Sequence, residues 1–154
     1  MCEAIRELLS LKDLKQADYD NVANETDIFT SMTSIFALED NGMDDLTCHL
    51  KEKALNICVN MAMGSAETIQ EMLQPKYGVL AQVNRVLDQA QTYELLENTL
   101  WLLANVSGDD IYFCKVILKE TNLINFLDQY TQTDAIFQLN HTMADMFTWL
   151  LDNI

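Results

Sequence analysis

The segment NTLWLLANVSGD, residues 98–109, has a helical pattern of apolar residues and carries an asparagine between apolar neighbours near its end. Two other segments repeat this pattern, KALNICVNMAMG at residues 53–64 and MFTWLLDNI at residues 146–154. Their aligned asparagines are Asn60, Asn105 and Asn153, so the intervals are 45 and 48 residues. A helical segment that recurs at such a period indicates an array of stacked repeats.

The residues between the copies predict two further helices in each repeat. We expect shorter helices at 66–73 and 110–120, followed by amphipathic helices at 79–90 and 123–130. Three helices with a period near the upper edge of about 40–47 residues are typical of the armadillo plan. The expected turn residues are two glycines that end the long helices and one proline between helices: Gly64, Gly108 and Pro75.

The whole chain is therefore predicted to be one all-α domain, a right-handed armadillo-type α-solenoid of about three repeats. Residues 2–14 predict an amphipathic cap helix, and residues 26–38 fit the third helix of an earlier repeat. Polar connections are expected at 39–45 and 131–134. The approximate divisions are one cap and three repeats, at residues 1–25, 26–64, 65–108 and 109–154.

The composition favours helices and a cationic partner. Nearly half of the residues are hydrophobic, yet four glycines and one proline provide few of the turns that short strands require. The formal charge of −15 repels nucleic acid and anionic lipid and attracts basic molecules. The alternative is that the acidic residues only keep the surface soluble.

The cysteine pattern and the apolar segments bear on the cellular compartment. The four cysteines, Cys2, Cys48, Cys58 and Cys114, form no CxxC pair and indicate reduced thiols, hence the cytoplasm and nucleus. No signal peptide and no apolar run of membrane-spanning length occurs in the sequence. We therefore expect no membrane partner.

Motifs for catalysis, metal binding and phosphate binding are not found in the sequence. The two histidines, His49 and His141, have no partner at metal-ligand spacing. The sequence contains no GxSxG, HExxH, P-loop or GxGxxG motif, and carboxylate pairs such as Asp44 and Asp45 are common in an acidic chain. We expect a protein that is not an enzyme and that needs no cofactor or metal.

Two rows of side chains suggest a binding surface. Trp101 and Asn105 are four residues apart, and so are Trp149 and Asn153, which places each pair on one face of a helix. Glu97 and Asp145 each lie one turn earlier in the same rows. A carboxamide can pair with a peptide backbone, and indoles can flank Lys or Arg stems. The alternative is a core tryptophan and an asparagine that caps the helix C-terminus.

Residues 98–130, NTLWLLANVSGDDIYFCKVILKETNLINFLDQY, resemble the importin-α repeat, in which W-x-L-x-N-(I/V)-(A/S)-G-D precedes the next repeat. LNHTMADMFTWLLDNI at residues 139–154 resembles the following repeat, and KALNICVNMAMGSAET at residues 53–68 resembles the preceding one. The likeness covers about residues 28–154. It implies the armadillo fold and a groove that binds nuclear localisation signals.

The resemblance implies roles for particular residues. Asp109 falls on the aspartate that meets the dominant lysine of the signal, and Gly64 falls on a glycine of the same pocket. Glu97 and Asn98 also fall on groove-lining positions of the family. The tryptophan–asparagine array of the family would comprise Trp101, Asn105, Trp149, Asn153 and Asn60.

The sequence departs from the family at one end of this array. Asn56 stands where the family has tryptophan, and Ile69 stands where the pocket has threonine, although Thr68 is adjacent. Lys51 and Lys53 near that row would repel a basic ligand. The later repeats, the minor site and the basic segment that binds importin-β are not found in this sequence.

Two hypotheses follow. The first is a non-enzymatic module, similar to a nuclear import adaptor, that binds proteins bearing Lys/Arg-rich nuclear localisation signals. The second is a generic armadillo scaffold for protein–protein interaction with a degenerate groove and no import role. We also expect the C-terminal helix to favour self-association, because it would expose the apolar residues Trp149, Leu150, Leu151 and Ile154.

Overall fold

The computed structural model describes residues 14–39, 45–89, 92–132 and 141–154. Helices account for almost all regular structure in these ranges, and no strand occurs in them. The all-α prediction is therefore confirmed for the described residues. The predicted cap helix at 2–14, most of the 39–45 connection and residues 133–134 lie outside them.

The chain forms two compact units, Met1–Val79 and Leu80–Ile154. The helices of the first unit, in chain order, are α1 (Gln16–Glu25), α2 (Ile28–Phe36), α3 (Asp45–Met61) and α4 (Ala66–Met72), followed by a 3₁₀ turn at Pro75–Tyr77. The next helix, α5 (Val79–Asp88), begins at the boundary, and the second unit continues with α6 (Tyr93–Asp109), α7 (Ile111–Glu120), α8 (Leu123–Gln132) and α9 (His141–Asn153).

These bounds agree with most of the helices predicted from the sequence. The three aligned segments fall on α3, α6 and α9, and the turn at Pro75 is present as the 3₁₀ turn. The unit boundary falls inside the predicted repeat at 65–108, after the first residue of α5. The armadillo type and the repeat divisions stay predictions.

The core of the first unit forms where α2 packs against α3. Buried residues recur along α2 at helical spacing, as in Ile28, Met32 and Ile35, so one face is apolar. Met32 Sδ lies 3.5 Å from the Cys58 Sγ of α3. Burial raises the pKa of the Cys58 thiol to about 12, so this cysteine is a neutral core side chain at physiological pH.

A carboxylate of α1 fixes the start of α4. Asp20 Oδ1 accepts hydrogen bonds from the Ser65 backbone N–H at 2.7 Å and from the Thr68 hydroxyl at 2.6 Å. Ser65 is also the N-cap residue of α4, because its Oγ accepts the Thr68 N–H. The Ser65 N–H first, and then the Thr68 hydroxyl, lower the pKa of Asp20.

We expect Asp20→Asn to lower the free energy of unfolding at neutral pH by about 1–3 kcal/mol, because charge-assisted hydrogen bonds become neutral ones. Since the pKa of Asp20 is lower in the folded state, its contribution is present above the ordinary value of 3.8 and is lost as the pH falls through the folded value. Denaturant unfolding should therefore show a difference from wild type that shrinks in acid.

Asp27→Asn is the matched control for this prediction, because Asp27 is an exposed residue whose side chain makes no capping hydrogen bond. Asp27→Asn should change the free energy of unfolding by no more than about 0.5 kcal/mol. Equal losses in the two variants, unchanged by pH, would contradict the structural role of Asp20.

Two asparagines of the second unit hold the α7–α8 turn against α5. Asn84 Nδ2 donates to the Glu120 carbonyl at 2.9 Å, and Asn84 Oδ1 accepts the Asn122 N–H at 2.7 Å. The Asn122 side chain in turn donates to Asp88 Oδ1 at 2.9 Å. These bonds satisfy polar groups at a helix boundary, where backbone groups lack helical partners.

The expected role of Gly64 and Gly108 as helix ends is wrong in detail. Helix α3 ends at Met61, and α6 continues through Gly108 to Asp109. Asp110 makes the turn after α6 with extended backbone, and its carboxylate caps α7 by accepting the Tyr112 N–H. Among the described glycines, Gly78 has the positive φ, 72°, at the end of the 3₁₀ turn.

Two further expectations are corrected in the second unit. Residues 131 and 132 belong to α8 and are not part of a connection, since that helix extends to Gln132. Leu150 is 0 % exposed, because it faces the core together with Met146 and Phe147. Trp149 and Leu151 on α9, and Ile154 directly after it, are exposed, so three of the four residues expected to form the self-association surface are accessible.

Candidate peptide-binding surface

The indoles of α6 and α9 are exposed. Trp101 is 41 % exposed and Trp149 is 46 % exposed, although each is followed in sequence by a fully buried leucine. Their partners one turn later, Asn105 and Asn153, are half-buried. The alternative that these tryptophans are core residues is therefore wrong.

The helices that carry the two rows pack against each other. Among the described helices, α6 and α9 make the most extensive contact. Asn153 Nδ2 donates to the Ala104 carbonyl at 3.3 Å and to Ser107 Oγ at 3.2 Å, so the C-terminal ends of the helices lie together. Helix α7 joins them, because the Cys114 thiol, which has a single hydrogen to donate, lies within hydrogen-bond distance of the carbonyls of Ser107 at 3.0 Å and Asn153 at 3.2 Å.

Gly108 allows the close approach of α9 to α6. A Cβ atom at this position would lie 3.3 Å from Asn153 Nδ2 and 3.8 Å from Trp149 Cζ2. The indole of Trp149 therefore lies next to the last turn of α6, one residue before Asp109. A side chain at position 108 would therefore require the Asn153 amide to shift slightly.

The charge on these two helices has one sign. Neither α6 nor α9 contains a lysine or an arginine. Of the acidic residues predicted to line the site, Asp109 and Asp145 are exposed and Glu97 is half-buried. The predicted site residue Asn98 is also half-buried. Such a surface attracts a cationic ligand.

Asp109 lies at the C-terminus of α6, where a negative charge does not stabilise that helix. It is the last residue of α6, whose final turn contains no basic residue. The helix dipole disfavours negative charge at the C-terminus, by about 0.3–1 kcal/mol at exposed positions. Asp109 also directly precedes Asp110, the N-cap residue of α7, where the helix dipole favours a negative charge, so the two helix ends have opposite effects on this carboxylate.

The predicted site residues of the first unit lie in a different environment. Asn56 and Asn60 on α3 are half-buried, and Gly64 is buried. The Gly64 carbonyl accepts a hydrogen bond from Gln16 Nε2 at 3.2 Å. A Cβ atom at Gly64 would lie 3.0 Å from Asp20 Oδ1, so α1 covers the surface of this glycine.

The residues that depart from the family pattern are mostly enclosed. Lys51 is 1 % exposed and Lys53 is exposed, so of these two lysines only Lys53 would meet a ligand directly. Ile69 is fully buried, and the buried Thr68 donates its hydroxyl to Asp20. Neither side chain presents a polar group to a ligand at this end.

Sequence reasoning missed several residues that fix the start of α4 and the contact between α6, α7 and α9. Ser65 carries a local signal, since serine is a preferred N-cap residue. Asp20, Ser107 and Cys114 have no such signal, because their partners come from other helices. Gly108 was singled out as a helix end, whereas its observed role is close packing.

No family model matches this sequence, and comparisons with curated proteins and with solved structures found no significant match. In the described ranges, no group of three His, Cys, Asp or Glu side chains is placed to hold a metal ion. No described helix is both long enough and apolar enough to cross a membrane. The resemblance to importin-α therefore rests on the residues that carry it.

Proposed function

We propose that the second unit binds extended Lys/Arg-rich peptides, such as nuclear localisation signals, along α6 and α9. The observation that carries this proposal is the pair of exposed indoles, Trp101 and Trp149, on two packed helices without a basic residue. The importin-α-like sequence pattern adds support, and it implies an adaptor that works in the cytoplasm and nucleus without catalysis.

The chemistry of the surface suits such a ligand. The face of an indole attracts an ammonium or guanidinium group by about 0.5–2 kcal/mol, and its apolar area packs against the aliphatic stem. Asp109 and Asp145 are exposed acids that would pair with the charged ends. The ligand would be extended, since its side chains must reach successive indoles.

The alternative function is a generic armadillo-type scaffold that binds another protein without reading basic signals. One observation favours it, which is that the Asn153 amide makes its hydrogen bonds inside the fold. The first unit also favours the scaffold, because Gln16 and Asp20 cover Gly64, which was predicted to line the lysine pocket.

Titration calorimetry with a blocked Ala-Lys-Lys-Arg-Lys-Ala peptide distinguishes the two functions. We expect saturable binding that weakens as salt is raised, because exposed charges are screened over roughly 8 Å at physiological ionic strength. A peptide with glutamine at every basic position is the control and should not bind. Equal binding of both peptides, or affinity that is independent of salt, would favour the scaffold.

Asp109→Lys should weaken binding of the basic peptide about thirtyfold at low salt. An exposed ion pair contributes up to about 1 kcal/mol, and the reversal adds repulsion of similar size. The variant should be about as stable as wild type, because the cation is favourable at the C-terminus of α6 and unfavourable beside the N-terminus of α7.

Asp27→Lys is the control for this reversal, since it gives the same change in net charge at an exposed residue of the other unit. It should reduce affinity only through the long-range field, by about twofold. If calorimetry gives the same loss for both variants, Asp109 has no specific role in the site.

A further inference from the structure

Two lysines of the second unit lie on the outer face of α7. The sequence of this unit contains three basic residues, Arg85, Lys115 and Lys119, so two of them belong to one helix. Tyr112, Lys115 and Lys119 are three and four positions apart, which places them on one face of the helix. All three side chains are exposed, and together they form the basic stripe of α7.

The basic stripe is directed away from the α6–α9 surface of the same molecule. The buried face of α7 consists of Phe113, Cys114 and Ile117, and the Cys114 thiol of that face approaches carbonyls of α6 and α9. With 3.6 residues per turn, the buried face and the basic stripe are about 180° apart around the helix. The lysines of the stripe can therefore reach an α6–α9 surface only in another molecule.

The charges of the stripe are available to a partner. Lys119 Nζ lies 3.0 Å from Glu120 Oε1, and both of these side chains are exposed, so water screens the pair and a partner can replace it. Lys115 has no ion-pair partner among the described residues. The exposed aromatic ring of Tyr112 adds apolar area beside the two ammonium groups.

The spacing of the lysines matches that of the two indoles. Lys115 and Lys119 are about 6 Å apart along α7, since a helix rises about 1.5 Å per residue. Trp101 and Trp149 lie on two packed helices, and the axes of such helices are about 8–10 Å apart. The flexible lysine stems can span this difference. Each ammonium group can then meet one indole, with the carboxylate of Asp109 beside them.

We propose that a second copy of this chain docks its basic stripe on the α6–α9 surface, in a head-to-tail contact that competes with basic peptides. This inference rests on the proposed peptide-binding surface and gives it a second occupant. The argument for this occupant is charge complementarity, because α6 and α9 contain no basic residue and α7 presents two lysines. The formal charge of −15 opposes association at long range, so the contact is weak and transient.

Sedimentation equilibrium at physiological ionic strength tests this contact with charge reversals on its two sides. Lys115→Glu/Lys119→Glu reverses the basic stripe, and Asp109→Lys/Asp145→Lys reverses exposed acids of the α6–α9 surface. Wild type should self-associate, and each variant alone should do so at least about thirtyfold more weakly, since repulsion replaces attraction at each exposed pair. An equimolar mixture of the variants should form heterodimers and no larger species, because it retains one complementary pair of faces.

Lys15→Glu/Lys53→Glu is the matched control, because it reverses two exposed lysines of the first unit. It should self-associate as wild type does. Saturating Ala-Lys-Lys-Arg-Lys-Ala should dissociate wild type, whereas the glutamine peptide should not. A monomeric wild type, or undiminished association of Lys115→Glu/Lys119→Glu, would overturn the inference even where the basic peptide binds. Heterodimers in the mixture without any peptide binding would support the contact between copies and overturn the proposed function.

Discussion

The double variant Trp101→Ala/Trp149→Ala is expected to bind the basic peptide about a hundredfold more weakly than wild type. Each indole contributes about 0.5–2 kcal/mol to the binding of a cation, and two losses near the middle of this range give about 2.5 kcal/mol, a factor on the order of a hundred. Because both side chains are exposed, their removal should preserve the helical fold. Calorimetry measures the affinity, and circular dichroism measures the helix content.

A matched double variant tests whether the loss of affinity is specific to the two indoles or follows from removing any exposed aromatic side chains. Tyr93→Ala/Tyr112→Ala removes two other exposed aromatic side chains of the same unit. It should change the affinity by less than about threefold, since neither residue belongs to the tryptophan–asparagine rows. Equal losses in the two double variants would indicate a nonspecific apolar surface.

Leu150→Ala is expected to lower the stability of the second unit by about 2–5 kcal/mol, the range for a large-to-small change in a core. The side chain is 0 % exposed on α9, the helix that packs most extensively on α6. Its loss should also weaken peptide binding, because Trp149 and Asn153 depend on the position of α9. Urea unfolding followed by amide exchange on α6 and α9 measures the effect.

The adjacent residue provides the control for this prediction. Leu151 is 49 % exposed, so Leu151→Ala removes the same atoms from the outer face of the same helix. We expect its effect on stability to stay within about 0.5 kcal/mol. Similar destabilisation by the two variants would mean that α9 is not docked on α6 by its Leu150 face.

The helices were predictable from the sequence because their signals are local. Apolar periodicity marked α2, α5 and α8, and the recurring asparagine segments marked α3, α6 and α9. The exposure of the indoles agrees with the resemblance to the tryptophan–asparagine rows. Recurrence at the repeat interval alone does not predict it, because Leu102 and Leu150 recur at the same interval and are buried.

The remaining features depend on contacts between helices that are distant in sequence. The bonds from Asn153 to Ala104 and Ser107 join residues 46 or more positions apart, and periodicity contains no information about such pairs. The burial of Lys51 was also not predictable from the sequence, since a lysine in a helix normally directs its charge to solvent. Leu150 was expected to be exposed because the helix was considered without its packing on α6.

Tryptophan fluorescence tests the central claim most directly. The chain contains two tryptophans, Trp101 and Trp149, and both are exposed residues of the proposed surface. Titration with Ala-Lys-Lys-Arg-Lys-Ala should change the emission in a saturable manner, with the midpoint found by calorimetry, and added salt should reverse the change. The glutamine peptide should leave the emission unchanged. Calorimetric binding of the basic peptide without a change in tryptophan emission would contradict the account, because the ligand would then occupy another surface.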